Sequence, residues 1–320
     1  MHPDSARELK ALLLERLRSM PSARDHGPGE GPHVAVGLAP AGGGRARVAV
    51  RLEREADRAV LPDLGASAGS ELDVRVIGRV HALSSPTPGE LQGRVRPLRP
   101  GLSVAHPDVT AGTLGGLVRV PGGLAVLSNN HVLAASDAAR VGDPVLQPGP
   151  ADGGSAADRV ATLAAFQRFS AEGNLVDAAV ATLDDGVEAD PGAVPGGPLT
   201  GPLPRPDGIE PDEEVEKVGR TTGHTRGRIT AVEVDGVAVQ YDRAIFSFDD
   251  QVEIEGLAGG FSAGGDSGSV IWRSRDRAPF ALLFAGSDTG GSQGTGVTFA
   301  NPLATVLDLL AAEWVAELRG

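Results

Sequence analysis

The chain of 320 residues contains no cysteine, which excludes disulfides, zinc ribbons, thiolate clusters and thiol nucleophiles together. Lysine is almost as scarce. Among 29 basic residues only Lys10 and Lys217 are lysines, and neither lies in a Gly-Lys-Ser/Thr sequence, so a phosphate-cradling P-loop is absent. Aromatic residues make up only 3%, leaving Val, Leu, Ala and Ile to build the core. No stretch reaches the roughly 18 apolar residues of a membrane span, and the segment from Met1 to Leu9 carries charges where a secretory signal needs an apolar run. A cytoplasmic protein with no membrane partner is expected. Basic charge is also in deficit: the formal net charge is −13, which repels phosphate backbones, so no nucleic-acid partner is expected either.

What is abundant is turn chemistry, with 45 glycines and 24 prolines separating short Val-rich runs that favour strands over helices. Residues 5–19 place Leu9, Leu13 and Leu17 at helical spacing, with Leu12 and Met20 beside them, and predict an amphipathic helix. Strands come next at 34–38, 48–52 and 72–76, so residues 1–83 read as a small α+β domain expected to stay attached and to dock on the β-rich remainder of the chain. Ser84 to Gly89, with Pro97, Pro100 and Gly101, gives 84–109 the composition of a linker. Residues 110–320 then read as mainly β: a first barrel over about 110–187, a proline-rich crossing over 188–213 that cannot be a central strand, and a second barrel over 214–320. Pro302 to Leu318 is expected to be a closing helix whose Leu303, Val306, Leu307 and Leu310 pack back. The fold class is a double β-barrel preceded by the α+β domain.

Three islands carry candidate chemistry: Ser128-Asn129-Asn130-His131-Val132, Val176-Asp177-Ala178-Ala179 and Gly264-Gly265-Asp266-Ser267-Gly268. Each alone has a plain structural reading, since a histidine at a strand end, an aspartate before an apolar strand and a Gly-Asp-Ser-Gly turn occur in many β proteins. Their joint occurrence in the order His, Asp, Ser points to a nucleophilic triad. An α/β hydrolase would need a histidine after its serine, and none follows Ser267. The subtilisin order would need its aspartate ahead of His131, and the strand content does not support it.

With these motifs, residues 110–310 resemble a bacterial trypsin-like serine peptidase of the chymotrypsin fold. Val218-Gly219-Arg220-Thr221-Thr222-Gly223 followed by Gly227-Arg228-Ile229 is similar to the alpha-lytic endopeptidase and streptogrisin group. Asn129-Asn130-His131-Val132-Leu133 and the preceding α+β region look more like intracellular relatives of the plant Narrow Leaf proteases. The resemblance implies peptide-bond hydrolysis without metal or cofactor, on a protein or peptide substrate, and the attached 1–83 domain is expected to dock on the peptidase or to recruit such substrates. His131 is then the general base, Asp177 its orienting carboxylate, and Ser267 the nucleophile, with the Gly265 and Ser267 N–H groups as oxyanion hole.

The resemblance also places a specificity floor at Phe261, six residues before the nucleophile, and substrate contacts at Phe284, Gly286 and Ser287. With no carboxylate at that floor, small or apolar side chains are expected before the scissile bond. The serine usual ahead of Gly286 is missing. Asp266, buried beside the nucleophile, needs a cation, and Arg220 is expected to pair with it and hold the oxyanion loop formed. A catalytically weak scaffold of the same fold, or an esterase using the same triad, are the alternatives. The other histidines lack metal-site spacing, although His224 is placed near the cleft, and nothing in the sequence specifies an oligomeric state.

Overall fold

A computed structural model describes residues 1–19, 33–61, 71–82, 89–171, 173–203, 210, 212–242 and 244–318; Met20 and part of the expected linker (84–88) lie outside them. Helix α1 spans Pro3–Arg18, starting two residues earlier than the leucine spacing indicates because a proline fits the first turn, where its missing N–H is not needed. Its buried Ala6 and Leu13 pack on Val36, Leu38, Val48, Val50 and Leu52 of the hairpin β1 (Val34–Ala41) and β2 (Arg45–Leu52). Strand β3 (Leu72–Val76) runs parallel to β2. These are the expected N-terminal elements.

Three short strands come next: β4 (Val80–Ala82), β5 (Ser103–Val104) and β6 (Gly112–Thr113). The linker expected over 84–109 needs correction over its described part. Leu98, Leu102 and Val104 are fully buried in the core of the first barrel, so apolar anchors interleaved with the prolines seal that barrel instead of spanning a gap. The barrel itself comprises β7 (Gly116–Val120), β8 (Gly123–Ser128), a one-turn helix α2 (Asn130–Leu133), β9 (Pro144–Leu146), β10 (Arg159–Phe166) and β11 (Ala179–Leu183). Among the described residues of the proline-rich crossing no strand forms, as proline's missing donor requires.

The second half comprises β12 (Glu214–Gly219), β13 (Gly223–Asp235), β14 (Val237–Gln240), β15 (Ile245–Phe248), β16 (Gln251–Gly256), β17 (Val270–Arg273), β18 (Pro279–Gly286) and β19 (Thr298–Pro302). The chain ends with α3 (Leu303–Leu309) and β20 (Glu313–Val315). The expected closing helix is therefore cut short. Leu303, Val306, Leu307 and Leu310 do pack inward, but Ala311 takes a left-handed φ of 48°, and the segment turns back to add β20 to β7 in a sheet ordered β20-β7-β8-β11-β10-β9.

The N-terminal strands are not a separate layer. The long β13 pairs with β12 along its first half and with β1 along its second, so β1, β2 and β3 extend the sheet of the second barrel. Ion pairs cross the same junction: Arg51 Nε donates to Glu253 Oε2 at 2.7 Å with both side chains fully buried, and the half-buried Arg75 reaches Glu255 at 2.6 Å. Burial would raise the Asp73 carboxyl, but the guanidiniums of Arg51 and Arg75 outweigh it and hold it below its ordinary value. Arg51→Met strands the Glu253 carboxylate in the core, so denaturant unfolding should show a loss of about 3–5 kcal/mol. The surface change Arg16→Met should stay within about 0.5 kcal/mol.

Candidate active site

His131 sits on α2, the single turn after β8, and the acid-bearing segment runs beside it into β11. The Asn129 side chain donates to the Asp177 carbonyl at 2.6 Å, and Asn130 donates to the Gln167 carbonyl at 2.6 Å, so both asparagines of the motif tie the histidine turn to neighbouring chain. The Asp177 carboxylate is fully buried. Its Oδ1 accepts the backbone N–H of His131 at 3.1 Å, and its Oδ2 lies 2.5 Å from His131 Nδ1. This fixes the imidazole with Nδ1 protonated and Nε2 as the free base. Nε2 is buried and has no hydrogen-bond partner among the described residues.

Two further residues hold Asp177, one at its carboxylate and one at its backbone, and neither was expected from the sequence. Tyr241, the chain's only tyrosine, donates its hydroxyl to Asp177 Oδ2 at 2.8 Å and meets the His131 ring edge-on at 5.7 Å. Asn301 Oδ1 accepts the Asp177 backbone N–H at 3.0 Å. A sole tyrosine in an aromatic-poor chain was the available signal for the first; Asn301 had none.

The loop Gly264-Gly265-Asp266-Ser267-Gly268 stands between β16 and β17. Ser267 is 1% exposed, and its hydroxyl donates to the Phe284 carbonyl at 3.3 Å rather than to His131. Strand β6 of the first barrel clasps the loop: the Thr113 N–H donates to the Ser267 carbonyl at 2.7 Å and its hydroxyl to the Gly265 carbonyl at 2.8 Å. Gly268 has φ +95°, and a Cβ there would stand 2.1 Å from Ser128 Oγ, so no other residue fits. Among the described residues the N–H groups of Gly265 and Ser267 donate to no protein acceptor, whereas those of Asp266 and Gly268 are bonded within the fold.

The cation expected for Asp266 is corrected. Its Oδ2 lies 3.1 Å from Lys217 Nζ and accepts from Thr222 Oγ1 at 2.6 Å and the Ala263 N–H at 3.0 Å; its Oδ1 accepts the N–H groups of Thr221 and Thr222. The Arg220 guanidinium instead pairs with Asp152. The reason is local: the backbone of Thr221 and Thr222 wraps the carboxylate closely, and a Cβ on Gly219 would come within 2.4 Å of it. Inward-facing Lys217 on β12 supplies the charge, while Arg220 faces Asp152 across the barrel junction. Burial pushes the Lys217 ammonium down, with the Asp266 charge opposing that shift.

The expected substrate contacts at Phe261, Phe284, Gly286 and Ser287 have these surroundings. Phe261 packs in the second core with Val215, Ile229, Ile254 and Ile271, and Phe284 packs on Phe248 with ring centroids 4.8 Å apart. Both side chains are buried. Ser287 Oγ is engaged by the Thr289 carbonyl and the Val297 N–H. Gly286 pairs with His81 of β4. His224 makes a 2.6 Å contact with Glu216 and stacks on Trp272.

Comparison with solved structures identifies the fold. A glutamic-acid-specific serine protease that utilizes a histidine triad in substrate binding matches with a TM-score of 0.50 and 18% identity, over 68% of this chain and 100% of that one. Thermobifida fusca protease A (0.48, 16%) and a Cellulomonas bogoriensis chymotrypsin (0.46, 18%) each match over 68% of this chain and 98% of theirs. No protein-family model and no curated protein matches the sequence. The chain has the chymotrypsin-like serine-protease fold, mainly β.

The buried groups support two measurements. In double-mutant cycles Lys217→Met and Asp266→Asn should couple by about 1–3 kcal/mol, because each leaves the other's charge or lone pairs unmet, and Arg220→Met should couple to Asp266→Asn less strongly. Burial, reinforced by the Asp177 charge, raises the Tyr241 phenol well above its ordinary value, which is about 10. Absorbance titration of this single tyrosine should show no ionisation while the chain stays folded at that pH, and Asp177→Asn should bring the transition down.

Proposed function

We propose that the chain is an intracellular serine endopeptidase. The observation that carries this reading is the buried Asp177–His131 pair, which leaves Nε2 as an unpartnered base in the same site as a nucleophile loop clasped by Thr113. In this reading the Ser267 hydroxyl leaves the Phe284 carbonyl and turns to Nε2 when substrate binds, in keeping with the looser geometry of catalytic hydrogen bonds without substrate. His131 then takes the proton as Oγ attacks the carbonyl carbon, and returns it to the leaving amine. Asp177 stabilises the imidazolium formed, with Tyr241 as a positioning residue acting through it. The N–H groups of Gly265 and Ser267 receive the oxyanion, a contribution of about 3–4 kcal/mol per donor in comparable sites. These steps use only the chain's own groups, and the substrate class is a protein or peptide. The intracellular setting is part of the proposal and is in keeping with a chain that contains no cysteine.

A second reading, a scaffold that cleaves little, draws on the Ser267 hydroxyl being engaged by the Phe284 carbonyl. An esterase would use the same groups. Labelling of Ser267 by a small fluorophosphonate and cleavage of a peptide library separate the three. The peptidase reading expects Ser267→Ala and His131→Ala each to lower kcat by about 10⁴–10⁶ and the double variant to lose no more than either alone, because the groups act as one unit. Additive losses, or ester hydrolysis with no peptide cleavage, would count against it.

A further inference from the structure

The position of β4 in the sheet has a functional consequence that rests on the peptidase reading. Strand β18 passes directly beside the nucleophile: the Gly268 N–H donates to the Leu283 carbonyl at 2.8 Å and the Ser267 hydroxyl meets the Phe284 carbonyl. Beyond Phe284, the next two residues of that strand are paired antiparallel with the chain's own N-terminal region, Ala285 with Ala82 and Gly286 with His81. Because the pairing is antiparallel, β4 runs toward Phe284 and the Ser267 hydroxyl as its residue numbers rise. An extended peptide that offers its carbonyl to Ser267 while adding to the same edge must run in the same direction over the same two residues.

Strand β4 is short but well held. Its other side pairs in parallel with β14, Val80 with Val239 and His81 with Gln240. Val80 is 6% exposed and belongs to the apolar cluster of Val237, Val239, Phe248 and Phe284 that also includes Tyr241. The turn from β3 into β4 passes through Gly78 at φ +72°, a conformation that glycine adopts without strain. We propose that β4 is the resident occupant of the peptide-docking edge, so that Val80-His81-Ala82 holds Ala285 and Gly286 and a peptide substrate enters only as β4 withdraws. A tethered strand of this kind competes at an effective concentration on the order of millimolar, which raises KM for peptides while leaving the serine open to reagents that need no strand pairing.

The test compares two kinds of reagent on the full chain. A small non-peptidic fluorophosphonate should label wild type and His81→Pro at the same rate, because His81 is outside the catalytic groups. Proline has no N–H and is excluded from central ladder positions, so the variant should hydrolyse an extended peptide with a kcat/KM raised by about tenfold or more, mainly through a lower KM. A second measurement uses wild type alone and does not depend on the variant folding. After a peptidyl phosphonate has capped Ser267, hydrogen exchange of the Val80 to Ala82 amides should lose protection, whereas capping with the small fluorophosphonate should leave it intact. A folded, labelled His81→Pro chain with unchanged peptide hydrolysis, or retained protection beneath a bound peptidyl phosphonate, overturns the occupancy and leaves the peptidase reading standing. If neither reagent labels Ser267, the peptidase reading fails first and the occupancy falls with it.

Discussion

A single fully buried carboxylate, that of Asp177, is the constraint on which the site depends. An aspartate in an apolar interior costs several kcal/mol unless its oxygens are met by donors. Here the donors come from widely separated parts of the chain: the backbone and ring of His131 after β8 and the hydroxyl of Tyr241 after β14. Asn301 at the end of β19 fixes the backbone of the same residue and in turn donates to Gln251 on β16 at 2.7 Å. Satisfying one charge therefore brings together the first barrel, the second barrel and the strand that ends in α3. The same logic holds at Asp266, where a lysine, a threonine hydroxyl and three backbone N–H groups converge on a carboxylate beside Ser267.

Continuity of the sheet decides how the N-terminal region relates to this site. Strand β13 is long enough to be shared, half with β12 and half with β1, and the bulges in its register let it serve both. Once β1 to β3 are attached there, with Arg51 and Arg75 locked to Glu253 and Glu255 across the junction, the turn after β3 delivers β4 between β14 and β18. Docking of the N-terminal region and occupation of the edge next to Ser267 are thus two consequences of one strand pairing.

Periodicity and turn chemistry made much of the architecture legible. The leucine spacing of α1 and the strands expected at 34–38, 48–52 and 72–76 appear near their expected positions, and the stretch beyond residue 110 is built mainly from short strands between turn residues, as expected. Strands as short as β4, β5 and β6 carry too few residues to show a period. The packed stretch from Gly89 to Val104 was obscured by prolines, and the C-terminal segment looked helical because Leu303, Val306, Leu307 and Leu310 satisfy helical spacing while β20 depends on a partner strand far away in sequence.

At the site, the fold class and the order of His131, Asp177 and Ser267 were legible in the chain alone, since motif residues and their order are local properties. Which long-range partner each buried charge takes was set by packing. Lys217 and Arg220 lie three residues apart, and both are cations that sequence logic could assign to Asp266; Lys217 on β12 faces the carboxylate, while Arg220, just past the end of that strand, turns to Asp152. Tyr241 likewise reaches Asp177 from 64 residues away. Such choices depend on distances and directions in the packed core, where desolvation makes an unpaired charge costly, and no local pattern encodes them.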